Sequence, residues 1–250
     1  MSIKIVVADI CKIGGRDYNQ DYTAHSVDGD RACLVVCDGL GSYVGSEVAS
    51  MLCASKINDS FVTDVLAEKD VFNSETAVAY AFAAHNFIND YKEKNPLIAS
   101  SCTTAAFVLT GPKNTVMAHA GDSRIYLFRD GKLTYQSKDH SLAQLAVEMG
   151  SITTREIRTH KDQNKLTRVL GSDYFTEPDV SVFSEPLKPG DAFIICTDGF
   201  WEYVFEEEME EALKAHKTPA EVIAALEKLL LGRVTKYNDN YTALVAMVTD

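Results

Sequence analysis

Five short aspartate-centred motifs occur along the chain, and four of them follow or lie beside an apolar run of the kind that forms a β-strand. Carboxylates placed where strands end converge on one rim of a sheet, and they repel each other unless cations lie between them. Oxygen-only ligands favour hard ions such as Mg²⁺ or Mn²⁺ over zinc or copper. The pattern therefore predicts a metal site at a sheet rim. In chain order the motifs are Arg16-Asp17-Tyr18-Asn19-Gln20-Asp21, Asp38-Gly39-Leu40-Gly41, Gly121-Asp122-Ser123-Arg124, Cys196-Thr197-Asp198-Gly199 and Asp239-Asn240.

Two of the motifs place an Asp-Gly pair directly after an apolar run. Asp38-Gly39 follows residues 32–37, and Asp198-Gly199 follows residues 193–197. Glycine after the aspartate leaves a backbone carbonyl open to an ion and removes the side chain that would crowd it. One such pair alone is more typical of a strand-to-helix turn. Its repetition on separate strands favours metal ligands.

The remaining motifs have open alternatives. Asp239 precedes the apolar run 241–248, but this local composition is also ordinary for a loop. Asp122 lies at a predicted tight bend, where it could be a turn residue paired with Arg124. Arg16 either forms a surface ion pair, worth little free energy, or presents a guanidinium fork to an anion, most naturally phosphate.

The elements that must position these residues are mostly strands. Close hairpins, such as the one with the turn Asp130-Gly131, indicate antiparallel pairing, and strands outnumber helices. We predict an α+β fold of two packed antiparallel sheets with helices on both outer faces, a four-layer αββα sandwich. Strand patterns lie at residues 2–9, 31–37, 103–110, 115–120, 124–128, 132–136, 179–184, 191–197 and 241–248. Helical patterns lie at residues 44–62, 75–93, 142–149 and 219–231, and the acidic run 206–211 is predicted to be a solvated helix face.

The chain shows no internal repeat and no Pro/Gly/Ser-rich hinge, which predicts a single domain over residues 1–250. The stretch 150–165 is polar and weakly periodic, and the apolar pattern resumes directly after it. We predict that this stretch is an exposed flap beside the site.

Composition excludes several classes of protein. Of 250 residues, 46% are hydrophobic, enough for a large core, while 24 basic and 36 acidic residues give a net charge of −12. This charge disfavours a nucleic-acid or anionic-membrane partner, and no segment approaches the roughly 18 uninterrupted apolar residues of a membrane span. The N-terminus carries no signal-peptide cleavage pattern. The six cysteines form no CxxC pair and are predicted to be buried thiols in a reducing cytoplasm.

Taken in order, the motifs resemble those of the metal-dependent serine/threonine protein phosphatases of the PP2C (PPM) family. The resemblance extends from Arg16 to Asp239, about 90% of the chain. The segment 198–202, Asp-Gly-Phe-Trp-Glu, is similar to the family's Asp-Gly-aromatic-Trp-acid segment, and the short chain looks like a bacterial member. Further matching segments lie at residues 45–50, 102–105, 138–142 and 166–171.

The resemblance implies a role for each matching residue. Asp38 would bridge two metal ions, and the carbonyl of Gly39 would bind one of them. Asp198 and Asp239 would complete one ion's shell, and Asp21 would hold metal-bound water.

A third, weaker ion is also implied, held by Asp122 with Asp198 and Glu202, while Arg16 would hold the substrate phosphate. The implied activity is hydrolysis of phosphoserine and phosphothreonine by direct attack of a metal-bridged hydroxide, with Mn²⁺ or Mg²⁺ as cofactor. The implied partners are phosphoproteins and a cognate serine/threonine kinase, and the protein is expected to be a cytoplasmic, signalling monomer.

Two positions depart from the family pattern. Gln20 replaces a glutamate that contacts metal-bound water in many members, and Leu40 replaces a histidine proposed as general acid in eukaryotic members. His119 and His140 lie near motifs, and for both we expect a structural hydrogen-bonding role.

Other functions remain to be weighed against this one. No cysteine has an arginine six positions later, as a cysteine-dependent phosphatase needs, and no GxSxG nucleophile elbow occurs. The serious alternative is a catalytically silent family member that binds phosphoproteins as a regulatory module. The intact Asp38, Asp198 and Asp239 argue against it. A further alternative is an acidic metal-binding protein without phosphatase chemistry.

Overall fold

The computed structural model describes residues 3–41, 43–69 and 72–250, and ten strands in these ranges form two antiparallel sheets of five strands each. The strands are β1 (Lys4–Lys12), β2 (Asp21–Asp28), β3 (Arg31–Asp38), β4 (Ala105–Thr110), β5 (Thr115–Ala120), β6 (Arg124–Arg129), β7 (Lys132–Gln136), β8 (Asp179–Phe183), β9 (Ala192–Cys196) and β10 (Tyr241–Thr249). One sheet has the order β1-β10-β9-β6-β7 and the other the order β2-β3-β4-β5-β8.

Helices cover the outer face of each sheet. The helices are α1 (Ser46–Leu66), α2 (Ser74–Lys94), α3 (Leu142–Glu148), α4 (Asp198–Trp201), α5 (Glu206–Ala215) and α6 (Pro219–Leu231). The apolar faces of α1 and α2 pack on the sheet that contains β3, and those of α5 and α6 pack on the sheet that contains β10. The predicted four-layer sandwich is confirmed.

The strand β3 shows how the layers are held together. Alternate side chains of a strand point to opposite faces of the sheet. Leu34 and Val36 therefore contact the opposite sheet, while Val35 and Cys37 contact the helices. Burial on both faces explains why this strand is a continuous apolar run. All six cysteines are free, and five of them are buried as predicted, whereas Cys11 is half-buried.

Local capping sets where the helices begin. Thr218 accepts a hydrogen bond from the N–H of Glu221 at 3.3 Å, and the carboxylate of Glu221 accepts from the N–H of Thr218 at 3.1 Å. This reciprocal pair and Pro219 in the first turn start α6 at the predicted residue. The acidic run predicted to be a solvated helix face begins α5. The strand β2 was not predicted from the sequence.

The polar stretch 150–165 is tied to the body of the protein by a short 3-10 helix, Thr154–Thr159. Ile157 and Arg158 are buried in this helix, and Nη2 of Arg158 donates to Oε1 of Glu206 at 2.6 Å. The idea that the stretch acts as a flap stays a prediction.

Within the described ranges, no helix combines the length and apolarity needed to cross a membrane.

Candidate metal centre

Strand ends from both sheets meet at one rim, and each brings an aspartate. Asp21 is the first residue of β2 and Asp38 the last residue of β3, and the two lie opposite each other in the strand register. Asp198 follows β9 and Asp239 precedes β10, and these two strands are neighbours in the other sheet. The structure therefore brings the carboxylates together on one rim, as the sequence predicted.

The rim encloses a pocket of about 280 Å³. Its lining combines several of the predicted site residues with others that had no predicted role as ligands. The predicted residues are Arg16, Asp38, Asp122, Asp198 and Asp239, and the additional ones include Asn164 and Leu166 from the chain at the end of the polar stretch.

The Asp38-Gly39 segment is fixed by its backbone. The N–H of Asp38 donates to Oγ1 of Thr104 at 2.9 Å, and its carbonyl accepts from the N–H of Thr104 at 2.8 Å. The N–H of Gly39 donates to the carbonyl of Gln20 at 3.0 Å. A Cβ at Gly39 would lie 2.3 Å from the carbonyl oxygen of Ser46, so only glycine fits this approach. These contacts leave the carboxylate of Asp38 at the pocket wall.

Asp21 lies behind the pocket and is only 5% exposed. Its Oδ2 accepts a hydrogen bond from Oγ1 of Thr197 at 2.9 Å, and that hydroxyl accepts from the N–H of Thr242 at 3.0 Å. Its Oδ1 is buried without a hydrogen-bond partner among the described residues. Such an oxygen can accept a hydrogen bond from a water molecule or from the Thr242 hydroxyl, which is also buried without a partner in the described part of the chain. The sequence did not indicate the role of Thr197.

The loop that carries Arg16 is held by Asn240. Nη2 of Arg16 lies 2.6 Å from Oδ2 of Asp239, which places the guanidinium at the pocket. Without the side chain of Asn240, three backbone groups of this loop would each lose a hydrogen bond. They are the carbonyls of Ile13 and Tyr18, at 2.7 and 3.1 Å from Nδ2, and the N–H of Gln20, at 2.8 Å from Oδ1.

Asp122 lies in the turn that crosses from β5 in one sheet to β6 in the other. Its carbonyl accepts a hydrogen bond from Nε1 of Trp201 at 2.9 Å. One interpretation of the sequence paired Arg124 with Asp122, but the structure does not show this pair. The guanidinium of Arg124 forms a buried bidentate pair with Asp139, at 2.8 and 2.7 Å, and lies 3.5 Å from the centre of the Trp201 ring. The arginine therefore supports the residue that holds the turn, and the carboxylate of Asp122 remains at the pocket.

Glu202, just after α4, links the site to the polar stretch. Its Oε1 accepts a hydrogen bond from Nε2 of Gln163 at 2.5 Å. Burial, together with the negative charges of Asp198 and Asp239, raises the pKa of Glu202 to about 8. Gln163 carried no signal in the sequence, because a single glutamine in a polar stretch has no distinguishing pattern.

The carboxylates of the rim disfavour each other's ionisation. Burial raises the pKa of Asp21 to about 7 and that of Asp198 to about 6, with repulsion between neighbouring carboxylates adding to the effect. Burial and the charge of Asp21 raise the pKa of Asp38 well above its usual range, and burial and the charge of Asp198 do the same for Asp122. Such a cluster is stabilised either by protons or by cations. Its donors are oxygens, which fits Mg²⁺ or Mn²⁺.

The model of the protein phosphatase 2C family matches residues 13–231, and the chain belongs to this family. The serine/threonine protein phosphatase PstP of Mycobacterium tuberculosis is 30% identical over 221 residues, which cover 87% of this chain but 40% of the relative. The chain thus spans well under half the length of that relative. The serine/threonine phosphatase stp of Listeria monocytogenes is 30% identical over 191 residues, which cover 75% of this chain and 74% of the relative.

A solved structure agrees with this assignment. The catalytic domain of PstP, determined in complex with two manganese ions, matches with a TM-score of 0.76 at 27% identity, and the match covers 100% of both chains.

Proposed function

We propose that this chain is a metal-dependent protein phosphatase that hydrolyses phosphoserine and phosphothreonine in proteins without a phosphoenzyme intermediate. The observation that carries the proposal is the convergence of Asp38, Asp198 and Asp239 from two sheets on one pocket that also contains Arg16, with Asp21 directly behind it. Membership of the protein phosphatase 2C family and the two manganese ions in the structure of PstP support it.

Two ions, Mn²⁺ or Mg²⁺, would be held mainly by Asp38, the carbonyl of Gly39, Asp198 and Asp239. Asp21 would hold water bound to one of them through its Oδ1. The unpartnered Oδ1, the raised pKa values and the all-oxygen donor set support this assignment.

A third, weaker ion would be held by Asp122, Asp198 and Glu202. Support for this site comes from the charge of Asp198, which adds to burial in raising the pKa of both Asp122 and Glu202.

When bound, such ions lower the pKa of coordinated water and neutralise charge on the phosphate. The residues of the chain position the cations and bind the phosphate. The carboxylates fix where the cations lie, and the Arg16 guanidinium can form two parallel hydrogen bonds to phosphate oxygens. Leu40 lines the pocket and has no proton to transfer, so we infer that the leaving serine or threonine oxygen takes its proton from water.

The proposed substrates are phosphoproteins, which a serine/threonine kinase must supply. Six free thiols suit a reducing compartment, so we place the protein in the cytoplasm. We also propose that it acts as a monomer in signalling.

The test is phosphate release from a phosphothreonine peptide by the purified chain. Release should require added Mn²⁺ or Mg²⁺, stop with a chelator, and be much slower with the matching phosphotyrosine peptide. The variant Asp38→Asn is the control for contaminating phosphatases. Stoichiometric binding of the phosphopeptide with Mn²⁺ but no turnover would favour the silent regulatory module, and turnover in chelated buffer would contradict the metal-dependent mechanism.

A further inference from the structure

A cluster of two histidines and an aspartate lies beside the rim but does not line the site pocket. The rings of His119 and His140 are stacked, with centroids 4.6 Å apart and an angle of 3° between the planes. Ligand atoms of His119, His140 and Asp179 all lie within 4.8 Å of one another, a spacing that could hold a metal ion. The hydrogen bonds of the cluster give it a different role.

The position of the proton on His140 is fixed by its partners. The backbone N–H of Gly121 donates to Nδ1 of His140 at 3.1 Å, so in the neutral ring the proton is on Nε2. Nε2 lies 3.1 Å from Oδ2 of Asp179, to which it donates, while Nη1 of Arg168 lies 3.3 Å from the same nitrogen and donates to the other oxygen of Asp179 at 2.5 Å. A metal ion would have to displace the proton on Nε2 and lie next to a guanidinium. The cluster is therefore a hydrogen-bond chain and not a metal site.

Burial keeps the chain in this state. Burial, together with the neighbouring His119, lowers the pKa of His140 to about 4. Hydrogen bonds from His140 and Arg168 outweigh burial and lower the pKa of Asp179. Near neutral pH, an uncharged imidazole with Nδ1 as acceptor therefore faces an ionised carboxylate.

The other end of the chain is the turn that carries Asp122. Both backbone groups of Gly121 bond to His140, since the N–H of His140 also donates to the carbonyl of Gly121 at 2.9 Å. Gly121 has a φ of 105°, a conformation that side-chain-bearing residues rarely adopt, so the turn depends on its contacts for its shape. On the far side, Trp201 holds the carbonyl of Asp122.

We propose that His140, oriented by Asp179, is a positioning residue for Asp122 and thereby sets the affinity of the third, weaker cation site. The inference depends on the proposed function, because it takes Asp122, Asp198 and Glu202 as the ligands of that ion. Groups that orient metal ligands typically change metal affinity by about 10–100-fold when they are removed.

The experiment is Mn²⁺ titration of the full chain by calorimetry, with turnover of a phosphothreonine peptide measured in parallel. His140→Leu, which lacks the acceptor for Gly121, should weaken the weakest Mn²⁺ step by about tenfold or more and leave the tighter steps unchanged. His140→Asn places an amide oxygen where Nδ1 lies and should restore most of the affinity. His119→Gln removes the stacked ring but keeps a donor for the Lys138 carbonyl, and it should change nothing.

Coupling to Asp122 separates positioning from a general structural role. In an Asp122→Asn background, His140→Leu should cause no further loss of turnover. Equal losses in both backgrounds, or equal weakening of every Mn²⁺ step, would overturn the inference. If His140→Leu does not fold, the fallback variant is Asp179→Ala, because Asp179 is exposed. This variant should weaken the weakest Mn²⁺ step by a smaller factor. An unchanged affinity at that step would overturn the inference.

The outcome also distinguishes this inference from the proposed function. A wild-type chain that binds two Mn²⁺ ions and turns over substrate, with no third step, would contradict the inference and the third-ion assignment on which it depends, but not the two-ion phosphatase function. A chain with no Mn²⁺-dependent turnover at all would contradict the proposed function.

Discussion

Nη2 of Arg16 lies 2.6 Å from Oδ2 of Asp239, so the proposed phosphate-binding cation is paired directly with a proposed metal ligand. The two residues are 223 positions apart in the chain, and both line the pocket. Their side chains are 53% and 42% exposed, and an ion pair of this kind contributes little to stability. Arg16 can therefore exchange the carboxylate for a phosphate at small cost.

This relationship predicts the effect of Arg16→Ala. The variant should raise KM with little change in kcat, because a phosphate contact made before and during the reaction is lost. A hydrogen bond between charged groups is worth about 1.5–3 kcal/mol, which corresponds to roughly 10- to 150-fold. Arg16→Lys, which keeps the charge but loses the two-pronged geometry, should fall between. Weaker Mn²⁺ binding with an unchanged KM would instead show that Arg16 serves to hold Asp239.

Thr197 should matter for the site beyond its contribution to stability. Thr197→Val removes the hydroxyl that donates to Asp21, so the carboxylate would lose its orientation, and the N–H of Thr242 would lose its acceptor. We expect a loss of about 1–3 kcal/mol in the free energy of unfolding, together with weaker Mn²⁺ binding and lower kcat.

The matched control is Thr110→Val, since Thr110 is a buried threonine in β4 whose hydroxyl donates to the carbonyl of Asp30. It should lose stability without losing Mn²⁺ affinity. Identical effects of the two substitutions on Mn²⁺ binding would mean that Thr197 has no special role.

The raised carboxylate pKa values predict how stability changes with pH in chelated buffer. Asp21 has a pKa of about 7 in the folded protein and 3.8 as its ordinary value. Between these values the folded state binds more protons than the unfolded state, so the free energy of unfolding falls as pH rises. Glu202, with a pKa of about 8, extends the loss to higher pH.

Thermal melts at pH 5 and pH 8 with a chelator test this. Asp21→Asn should lose less stability between the two pH values than the wild type, whereas the exposed Glu211→Gln should behave like the wild type. Added Mn²⁺ should restore wild-type stability at pH 8, because cations replace the protons. If the wild type and Asp21→Asn lost the same amount of stability between pH 5 and pH 8, the raised pKa of Asp21 would be contradicted.

The sequence predicted the architecture and the rim because both depend on local pattern. Strands buried on both faces, such as β3, are continuous apolar runs, and the aspartates after them mark the strand ends. The strand β2 was missed because it lies at the edge of its sheet and mixes half-buried with exposed residues without regular alternation, so its polar side chains hide the strand pattern. Its existence depends on pairing with β3, which no local property of residues 21–28 reveals.

The contacts that hold the site were harder to predict than the site itself. Asn240, Thr197 and Gln163 act through side-chain hydrogen bonds to residues that are distant in the chain. The pairing of Arg124 with Asp139 was missed for a related reason. A nearer carboxylate, that of Asp122, stood two positions away in the sequence, and only the fold directs the arginine past it.

Asp38 carries the central claim, because its carboxylate is the only side chain proposed to bridge the two ions. Asp38→Asn keeps the shape of the side chain but removes its charge, so one ion should be lost. Removal of a positioned electrostatic group typically costs about 10² to 10³ in rate, and turnover should fall by at least that factor.

The most direct test therefore measures Mn²⁺ stoichiometry by calorimetry and phosphothreonine-peptide turnover on wild type and Asp38→Asn together. We predict a folded variant with one fewer tightly bound Mn²⁺ and at least a hundredfold lower kcat. A folded Asp38→Asn protein with wild-type Mn²⁺ occupancy and near-normal turnover would contradict the account.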